Sequence, residues 1–541
     1  MPRNDNSNIS EIFFETMKSR PDTVALRIPA SWTDTAVTRY ESATYKEMGQ
    51  RIAAYQGGLE KAGFRRGDRI LIMLQPGIDF YCLFYALMAS GMVPVLIDPG
   101  MGLRRFMTGI KDSRATAVIG TRRLFTLRFL MPAMWGLKWY GADKTGIGVK
   151  PLDALKDPSN AMIQIHRCDA DDHGLITFTS GSTGRPKGAD RTHRLLIEQF
   201  RNLKKCLPHN DDMIDMTCFP VLALHFFSGG VPTTLCAVDL KAVAKTHPER
   251  IIDQIQSLGV KRLTAPPSFM KILAEHIIAR GADVSSIIEL AVGGAPVSRE
   301  LCLLMKNAFP GASGKILYGS TEAEPISSIL IDEVISAEGD GYLVGRPHDF
   351  TEVMIAGLPE EPDAIVDTTL RSYRVAPGGI GEIVVKGAHV LKGYIDNPEA
   401  DRENKVHCPD GTVWHRTGDT GYFDENGRLW LTGRTKDIVE FNNQSIQPLV
   451  LERMLNAVAG IRQSAIVSLN GRKTPVIALE IQPGASPDRT MEKVKIHLME
   501  KNLHAIPTRI VRTIPVDGRH NSKTDRVLLR KQLSAYKAWC R

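Results

Sequence analysis

The chain has 541 residues, which is more than a single hydrophobic core usually holds, so we expect two or three packed units. Hydrophobic residues make up 43% of it and charged residues 24%, as in an ordinary globular protein. The net charge of +8 is small for this length, and no long run of Lys and Arg interleaves with aromatic residues, so we predict no nucleic-acid partner.

Cysteine usage and the N-terminal residues bear on the compartment in which the chain works. The eight cysteines are scattered without a Cys-x-x-Cys pair, and the first residues lack the apolar core of a signal peptide. Scattered cysteines in a large chain are typical of buried thiols in a reducing compartment. We therefore predict a cytoplasmic protein.

Strands and helices alternate through the first three hundred residues. The predicted helices lie at residues 45–61 and 248–258, and the predicted strands at residues 69–74, 93–97, 116–120 and 175–179. Alternation of this kind predicts largely parallel sheets with helices on both faces. The predicted fold class is therefore α/β.

Residues 80–97 contain no charge and are just long enough to span a bilayer. Gly91 and Pro94 interrupt this stretch, however, and a break of that kind suits an α/β unit better than a membrane span. We predict a buried helix up to Ala89, a turn at Gly91, a strand at 93–97 and no transmembrane span.

Residues 121–140 mix four basic residues with Leu, Phe, Met and Trp, and Pro132 prevents a long helix. Two interpretations stay open. The segment is either a helix packed on the body with solvated basic ends, or an interfacial element that contacts lipid, an acyl chain or a partner protein. Peripheral contact with a membrane or with an enzyme of the same pathway would use this segment.

The sequence pattern changes near Gly341, where short strand-like segments separated by turns begin. These runs predict a small antiparallel subdomain at the end of a large N-terminal domain, residues 1–434. After Gly433 an α+β pattern resumes and predicts a small C-terminal domain, residues 435–541.

The string TSGSTGRPKG at residues 179–188 carries the strongest chemical signal. Glycines let backbone N–H groups approach a phosphate, hydroxyl side chains add donors, and Lys187 adds a positive charge. The residues predicted to bind phosphate are Thr179, Ser180, Gly181, Ser182, Thr183 and Lys187. A Walker A loop is excluded, because Pro186 precedes Lys187 and Gly188 follows it.

This string resembles the phosphate loop of the superfamily that contains acyl-CoA synthetases, peptide-synthetase adenylation domains and luciferases. Further motifs of that superfamily follow in order: GGAP at 293–296, YGSTEA at 318–323, TGD at 417–419, GRTKD at 433–437 and RHNSKTDR at 519–526. The resemblance covers nearly the whole chain. It implies an enzyme that uses ATP and Mg²⁺ to activate a small-molecule carboxylic acid as an acyl-adenylate, with release of pyrophosphate.

The resemblance also implies roles for the matching residues. The adenine contacts would be Gly294, Ala295, Pro296 and Tyr318, and Gly319, Ser320 and Thr321 would also bind the nucleotide. The ribose and phosphate contacts would be Asp419, Arg434 and Lys523. The Mg²⁺ ligands would be Glu322 and Thr183, and the catalytic residues would be Thr179, Glu322 and Lys523. Lys436 would be the hinge of a mobile C-terminal domain.

The chemistry agrees with these roles. Attack of a carboxylate on the α-phosphorus builds negative charge on phosphoryl oxygens, which the loop donors, Mg²⁺ and Lys523 would stabilise. No side-chain nucleophile is needed, because the substrate carboxylate is already one. His407 with Cys408, and His415, are isolated in the sequence and are interpreted as structural.

Two strings depart from the pattern of acyl-CoA synthetases. The loop at residues 441–445, which is rich in glycine in those enzymes and approaches the thiol tunnel, contains no glycine here, and bulkier residues should hinder a thiol arm. The predicted acyl gate begins at Phe219, but Ala223 occupies the place of the usual gating histidine and His225 follows two residues later. His225 is open to interpretation as a core residue.

Both departures, with the strings IDPGMGLRR at 97–105 and RHNSKTDR, are similar to the β-lactone synthetases of the bacterial long-chain olefin pathway. This resemblance implies a long-chain β-hydroxy acid as substrate and closure to a β-lactone after activation. A fatty acyl-CoA ligase or an acyl-AMP ligase that loads a carrier protein is the alternative. A non-catalytic nucleotide-binding module is the alternative of another class, which the presence of Lys523, Glu322 and Asp419 together disfavours.

Overall fold

The computed structural model of the chain describes residues 7–143, 146–179, 185–239, 246–358, 370–469, 474–516 and 523–539. Its α-helices are α1 (Glu11–Ser19), α2 (Tyr45–Lys61), α3 (Ile78–Ala89), α4 (Leu103–Ser113), α5 (Arg122–Leu127), α6 (His193–Cys206), α7 (Pro220–Ser228), α8 (Pro248–Leu258), α9 (Pro267–Arg280), α10 (Arg299–Ala308), α11 (Ile331–Ser336), α12 (Pro398–Asn404), α13 (Pro448–Asn456), α14 (Pro487–Glu500) and α15 (Arg526–Trp539).

The strands of the same residues complete the element order. They are β1 (Val24–Trp32), β2 (Val37–Thr44), β3 (Arg69–Met73), β4 (Val93–Ile97), β5 (Ala117–Gly120), β6 (Lys138–Gly141), β7 (Lys150–Pro151), β8 (His173–Thr179), β9 (Lys187–Thr192), β10 (Asp215–Thr217), β11 (Thr233–Leu235), β12 (Arg262–Ala265), β13 (Glu289–Gly293), β14 (Ser313–Ser320), β15 (Ala323–Leu330), β16 (Tyr342–Pro347), β17 (Glu352–Ala356), β18 (Gly381–Lys386), β19 (Lys405–His407), β20 (Val413–Phe423), β21 (Leu429–Arg434), β22 (Val439–Phe441), β23 (Gln444–Ile446), β24 (Ile461–Ser468), β25 (Pro475–Ile481) and β26 (Thr508–Ile510).

The predicted elements are present, with ends that agree to within two residues. Helix α2 begins where predicted because Thr44 and Glu47 form a reciprocal capping box at its first turn. The uncharged stretch at 80–97 divides into α3 and β4 at Gly91, whose φ of +67° a glycine adopts without strain. Among the described residues no helix is long and apolar enough to cross a membrane.

Two large sheets confirm the α/β class. The first has the order β7-β6-β5-β3-β4-β8-β9 and is parallel except at its β8–β9 edge. The second has the order β17-β18-β20-β21-β16-β15-β14-β13-β12-β10-β11-β1-β2, with β19 beside β20. Its strands β10 to β14 run parallel, so their carboxyl ends meet along one edge.

The antiparallel strands predicted after Gly341 exist, but they do not form a detached sheet. Strand β16 pairs with β15 at only two positions, Ser327 with Pro347 and Ser328 with Arg346. Through this short ladder the antiparallel strands continue the second large sheet.

The last hundred residues form their own layers. Strands β24, β25 and β26 make a three-stranded sheet, and β22 and β23 make a hairpin. Among the described residues, no cluster of buried hydrophobic side chains contains members from both sides of residue 434. This separation is consistent with the domain boundary predicted between residues 434 and 435, which stays a prediction.

Candidate active site

The string predicted to bind phosphate lies in a hairpin between β8 and β9. Thr179 is the last residue of β8 and pairs across the ladder with Lys187, the first residue of β9. The remaining predicted phosphate contacts, Ser180, Gly181, Ser182 and Thr183, lie outside the described residues. The structure therefore places one hydroxyl residue and one lysine opposite each other where this loop begins and ends.

Lys187 is buried at the base of the hairpin. Its Nζ lies 3.8 Å from Glu403 Oε2 and 5.6 Å from the centre of the Tyr394 ring. Burial lowers the pKa of Lys187, although Glu403 and Glu322 oppose the shift. A lysine held in this way presents a poorly hydrated positive charge, which interacts strongly with an anion such as a phosphate.

The GGAP and YGSTEA strings lie side by side because they end adjacent parallel strands. Gly293 of β13 pairs with Leu317 of β14, so Gly294, Ala295 and Pro296 follow beside Tyr318. Gly294 has a φ of +86°, and a Cβ built on it would lie 3.8 Å from the Phe219 ring. The first residue of the predicted acyl gate is therefore a neighbour of the predicted adenine turn.

Tyr318, Asp419 and Arg434 form one hydrogen-bonded group. The Tyr318 hydroxyl donates to Asp419 Oδ2 at 2.9 Å, and Arg434 Nε lies 2.8 Å from Asp419 Oδ1. Asp419 and Arg434 are register partners on β20 and β21, which explains how residues fifteen positions apart meet. Three residues predicted to bind the nucleoside are thus held together before any nucleotide is considered.

Glu322 ends the turn between β14 and β15, which begins at Thr321 and follows Gly319 and Ser320 at the end of β14. Its backbone N–H donates to Ser320 Oγ at 3.2 Å, and its Oε1 accepts from the Tyr394 hydroxyl at 3.1 Å. Burial favours the protonated form of Glu322, but the charge of Lys405 and the hydrogen bond from the Tyr394 hydroxyl help to outweigh it and lower the carboxyl pKa.

An ionised, partly satisfied carboxylate of this kind fits a hard cation such as Mg²⁺. The described residues contain no group of three or more His, Cys, Asp or Glu that could hold a metal ion by themselves. A Mg²⁺ ion at Glu322 would therefore complete its shell with oxygens of nucleotide phosphates and water. Thr183, the second predicted ligand, lies outside the described residues.

Lys405 and Tyr394, which sequence reasoning missed, lie with His415 around the Glu322 carboxylate. Lys405 is buried, its Nζ donates to the Leu391 carbonyl and lies 5.3 Å from the centre of the Tyr394 ring. Burial lowers the pKa of Lys405 to about 7, against the opposing effects of Glu322 and Asp401.

His415, which is isolated in the sequence and interpreted as structural, lies near Lys405 and Glu322 in the fold, and its structural role stays a prediction. Burial and the charge of Lys405 lower the pKa of His415 to about 3, so the ring is neutral, and its Nδ1 lies 3.1 Å from the Asn404 carbonyl. Lys405 ends a polar run that resembles a solvated surface in the sequence. None of the sequence motifs described above includes Lys405 or Tyr394, so no sequence signal pointed to either residue.

The predicted acyl gate lies on helix α7 and the residue before it. Ala223 is fully buried, whereas His225 packs its ring 4.8 Å from the Phe200 ring. Burial lowers the pKa of His225 to about 3, and its Nδ1 has no hydrogen-bond partner among the described residues. His225 is therefore not the fully satisfied core histidine that one interpretation required, and its role in an acyl gate stays a prediction.

The glycine-free loop at residues 441–445 is a tight hairpin. Asn442 and Asn443 connect β22 and β23 with φ values of 48° and 60°. A two-residue hairpin turn with both φ values positive is usually built with glycine, and Asn is the side chain that best tolerates it. The tip of this hairpin therefore carries two exposed amide side chains where glycine would leave backbone only.

The predicted hinge lies between two anchored residues. Arg434 is paired with Asp419, while Asp437 lies 3.4 Å from Arg526 Nε and 3.3 Å from Arg530 Nη2. Lys436 lies in the single 3₁₀ turn between them. Lys523 is exposed and immediately precedes Thr524, which forms a β-bridge with Val516. The hinge role of Lys436 and the catalytic role of Lys523 stay predictions.

Known proteins resemble this chain over most of its length. The family model described as AMP-binding enzyme matches residues 13–395. The chain is 30% identical to the olefin beta-lactone synthetase of Xanthomonas campestris over 96% of both chains, and 30% identical to that of Stenotrophomonas maltophilia over 98% of both.

The fold is shared with a synthetase of known structure. The amide bond synthetase McbA from Marinactinospora thermotolerans superposes with a TM-score of 0.78 over 97% of this chain and 99% of its own, at 20% identity. At that identity the likeness concerns the fold. The family match and the two nearly full-length relatives lead to one conclusion: the chain belongs to the AMP-binding enzyme family and is an adenylate-forming ligase.

Proposed function

We propose that this ligase activates a long-chain β-hydroxy acid as its acyl-adenylate and then closes it to a β-lactone with release of AMP. The observation that carries the proposal is the pair of relatives named olefin beta-lactone synthetase, which match over nearly the whole chain. Matches of that extent include the C-terminal residues, where acceptor chemistry would differ between ligases.

The first step joins the substrate carboxylate to the α-phosphorus of ATP. A carboxylate oxygen forms the new P–O bond, the bond to the β-phosphate breaks, and pyrophosphate leaves with the electron pair. Asp419 and Arg434 would hold the ribose end, and Lys187 and Lys523 would place positive charge near the phosphoryl oxygens as negative charge develops. Mg²⁺ at Glu322 would neutralise phosphate charge in the same site.

The second step uses an acceptor that the substrate already carries. The β-hydroxyl oxygen attacks the activated carbonyl carbon, the C–O bond to AMP breaks, AMP leaves with the electron pair, and the hydroxyl proton passes to solvent or a nearby base. Tethering replaces a second substrate, so closure gains the advantage of an intramolecular reaction. The hairpin tip at Asn442 and Asn443 supports this choice, because the resemblance implies that this loop approaches the thiol tunnel, and side chains bulkier than glycine would hinder a thiol arm there.

Product analysis tests the proposal directly. The protein would be incubated with ATP, Mg²⁺ and a long-chain β-hydroxy acid, with and without CoA, and the products identified by mass spectrometry. We expect equal amounts of β-lactone, AMP and pyrophosphate, unchanged by CoA.

The same acid without its hydroxyl group is the matched control substrate. It should support pyrophosphate exchange and then stop at bound acyl-adenylate, because no nucleophile reaches the carbonyl. Rapid acyl-CoA formation from this plain fatty acid would replace the lactone proposal by an ordinary acyl-CoA ligase. A chain that supports no pyrophosphate exchange with any acid would be a nucleotide-binding module instead.

A further inference from the structure

The positive charge of this chain is concentrated in one stretch. Residues 101–140 contain eight Lys and Arg residues and a single acidic residue, Asp112. This stretch therefore carries +7 of the net charge of +8, and the other five hundred residues are nearly neutral together. A concentration of this kind creates a local positive potential that an average over the chain conceals.

The fold gathers this stretch on one face of the first sheet. Helix α4 and the segment from α5 to the 3₁₀ turn Pro132–Met134 pack into a single hydrophobic cluster, to which they contribute Phe106, Ile110, Phe125 and Met134. The segment at 121–140 is thus neither a long helix nor wholly solvated. It is a series of short turns whose apolar side is anchored next to α4.

The opposite side of these turns exposes large apolar side chains. The side chains of Ile147, Phe129 and Trp135 are 90%, 65% and 65% exposed. Among the described residues, Met162 is the only other large hydrophobic residue that is at least as exposed as Phe129 and Trp135, at 73%. In the part of the chain that the structure describes, three of the four most exposed large hydrophobic residues thus lie within twenty residues of one another in sequence.

Arg128 joins these three residues into one surface. Its guanidinium donates to the Ile147 carbonyl and lies 4.7 Å from the centre of the Phe129 ring, and its carbonyl accepts from Trp135 Nε1 at 3.0 Å. We call Arg128, Phe129, Trp135 and Ile147 the aromatic knob. Arg104 and Lys111 of α4 add exposed positive charge to the same face of the sheet.

Aromatic rings and a branched aliphatic side chain beside basic residues match the chemistry of a lipid headgroup region. Each nearby Lys or Arg adds attraction to anionic headgroups, and the apolar side chains gain by leaving water. We propose that this face binds the surface of an anionic lipid bilayer, with the aromatic knob at headgroup depth. The proposal does not depend on which acid the enzyme activates.

Vesicle co-sedimentation with the full chain tests the proposal. We expect the protein to sediment with vesicles of phosphatidylglycerol and phosphatidylcholine in equal parts, to bind phosphatidylcholine alone much more weakly, and to be released when salt is raised to about 0.5 M. The double variant Phe129→Ala/Trp135→Ala should lower the partition coefficient by about tenfold or more. It should keep pyrophosphate exchange, which shows that the enzyme is folded.

Matched variants separate the contribution of the exposed apolar side chains from that of the basic residues. Trp32→Ala/Met162→Ala removes exposed apolar side chains elsewhere and should bind as the unmodified protein does. Arg104→Gln/Lys111→Gln should weaken binding to the anionic vesicles, while Lys493→Gln/Lys495→Gln, which removes exposed charge from α14, should not. Failure of the unmodified protein to bind anionic vesicles would overturn the proposal. Equal binding by the knob variant would do the same, and self-association that the knob variant abolishes without any lipid binding would assign the face to a second copy of the chain.

Discussion

Asp419→Asn gives the sharpest test of the predicted nucleoside site. Asp419 Oδ1 faces Arg434 and Oδ2 accepts from Tyr318, so each oxygen keeps one further lone pair for a ribose hydroxyl. An amide offers a single acceptor oxygen and must turn its NH₂ toward one of the two neighbours. One ribose hydroxyl therefore loses its acceptor in the variant.

The magnitude follows from the type of bond that is lost. A hydrogen bond to a charged group contributes about 1.5–3 kcal/mol, which corresponds to ATP binding weaker by about 10- to 150-fold. The Arg434 side chain is 44% exposed, so its pairing with Asp419 is screened by solvent and adds little to this loss. We expect the effect in the dissociation constant for ATP.

Calorimetric titration with ATP and with 2′-deoxy-ATP measures the loss and identifies its source. The unmodified protein should discriminate against 2′-deoxy-ATP, and the variant should lose much of that discrimination. Asp424→Asn is the matched control, because Asp424 also pairs with an arginine, Arg428, near the end of the same strand. Unchanged ATP affinity in Asp419→Asn, or an equal loss in Asp424→Asn, would refute the ribose assignment.

Three further predictions address catalysis and stability. Lys523→Ala should lower kcat for pyrophosphate exchange by about 100- to 1000-fold with ATP affinity unchanged, because the lysine is predicted to meet charge that develops only in the transition state; an unimpaired kcat would remove Lys523 from the mechanism. Burial lowers the pKa of His193 to about 4, and its Nδ1 accepts from the Ile9 backbone. As the pH drops, the unfolded chain therefore takes up the proton first, and the free energy of unfolding should fall between pH 6.5 and 4, by about 2 kcal/mol at pH 5. Urea unfolding at pH 7 and at pH 5 should show a smaller change in this free energy for His193→Asn than for the unmodified protein. An equal change in both proteins would contradict the assignment. Arg262→Met should lower the free energy of unfolding in urea by about 3–5 kcal/mol, because it leaves Asp215 buried without its arginine partner. Adding Asp215→Asn should restore part of the lost stability. If it restores none, the loss comes from packing and not from the unpaired charge.

Local signals account for the parts of the fold that the sequence predicted well. The helix at 45–61 has a capping box at its start, and the strand at 93–97 follows a glycine turn, so both ends are set by neighbouring residues. The position of the antiparallel strands was harder to predict, because their attachment to the second sheet depends on two residue pairs between β15 and β16. Pairing between distant strands leaves no periodic trace in either strand.

The candidate site divides in the same way. Tyr318, Asp419 and Arg434 were predicted because each belongs to a string with its own pattern. Lys405 and Tyr394 were not, because their relation to Glu322 arises only when the loop at Leu391 and strand β19 pack against the turn that carries it. In a sequence, a buried lysine cannot be distinguished from a surface lysine until its neighbours in the fold are known.

The contacts of the residues on either side of Lys436 bear on the rotation predicted for the C-terminal unit. Arg434 is tied to β20 through Asp419, and Thr435 Oγ1 lies 3.4 Å from the Gly418 carbonyl, so both move with the large unit. Asp437 is tied by two arginines to α15 and moves with the small one. A rotation of the predicted kind between the two units would therefore be taken up by the φ and ψ angles of Lys436. It would also have to break the hydrogen bonds that Arg453 donates to the Gly339 and Gly341 carbonyls, which join the small unit to the large one in this structure.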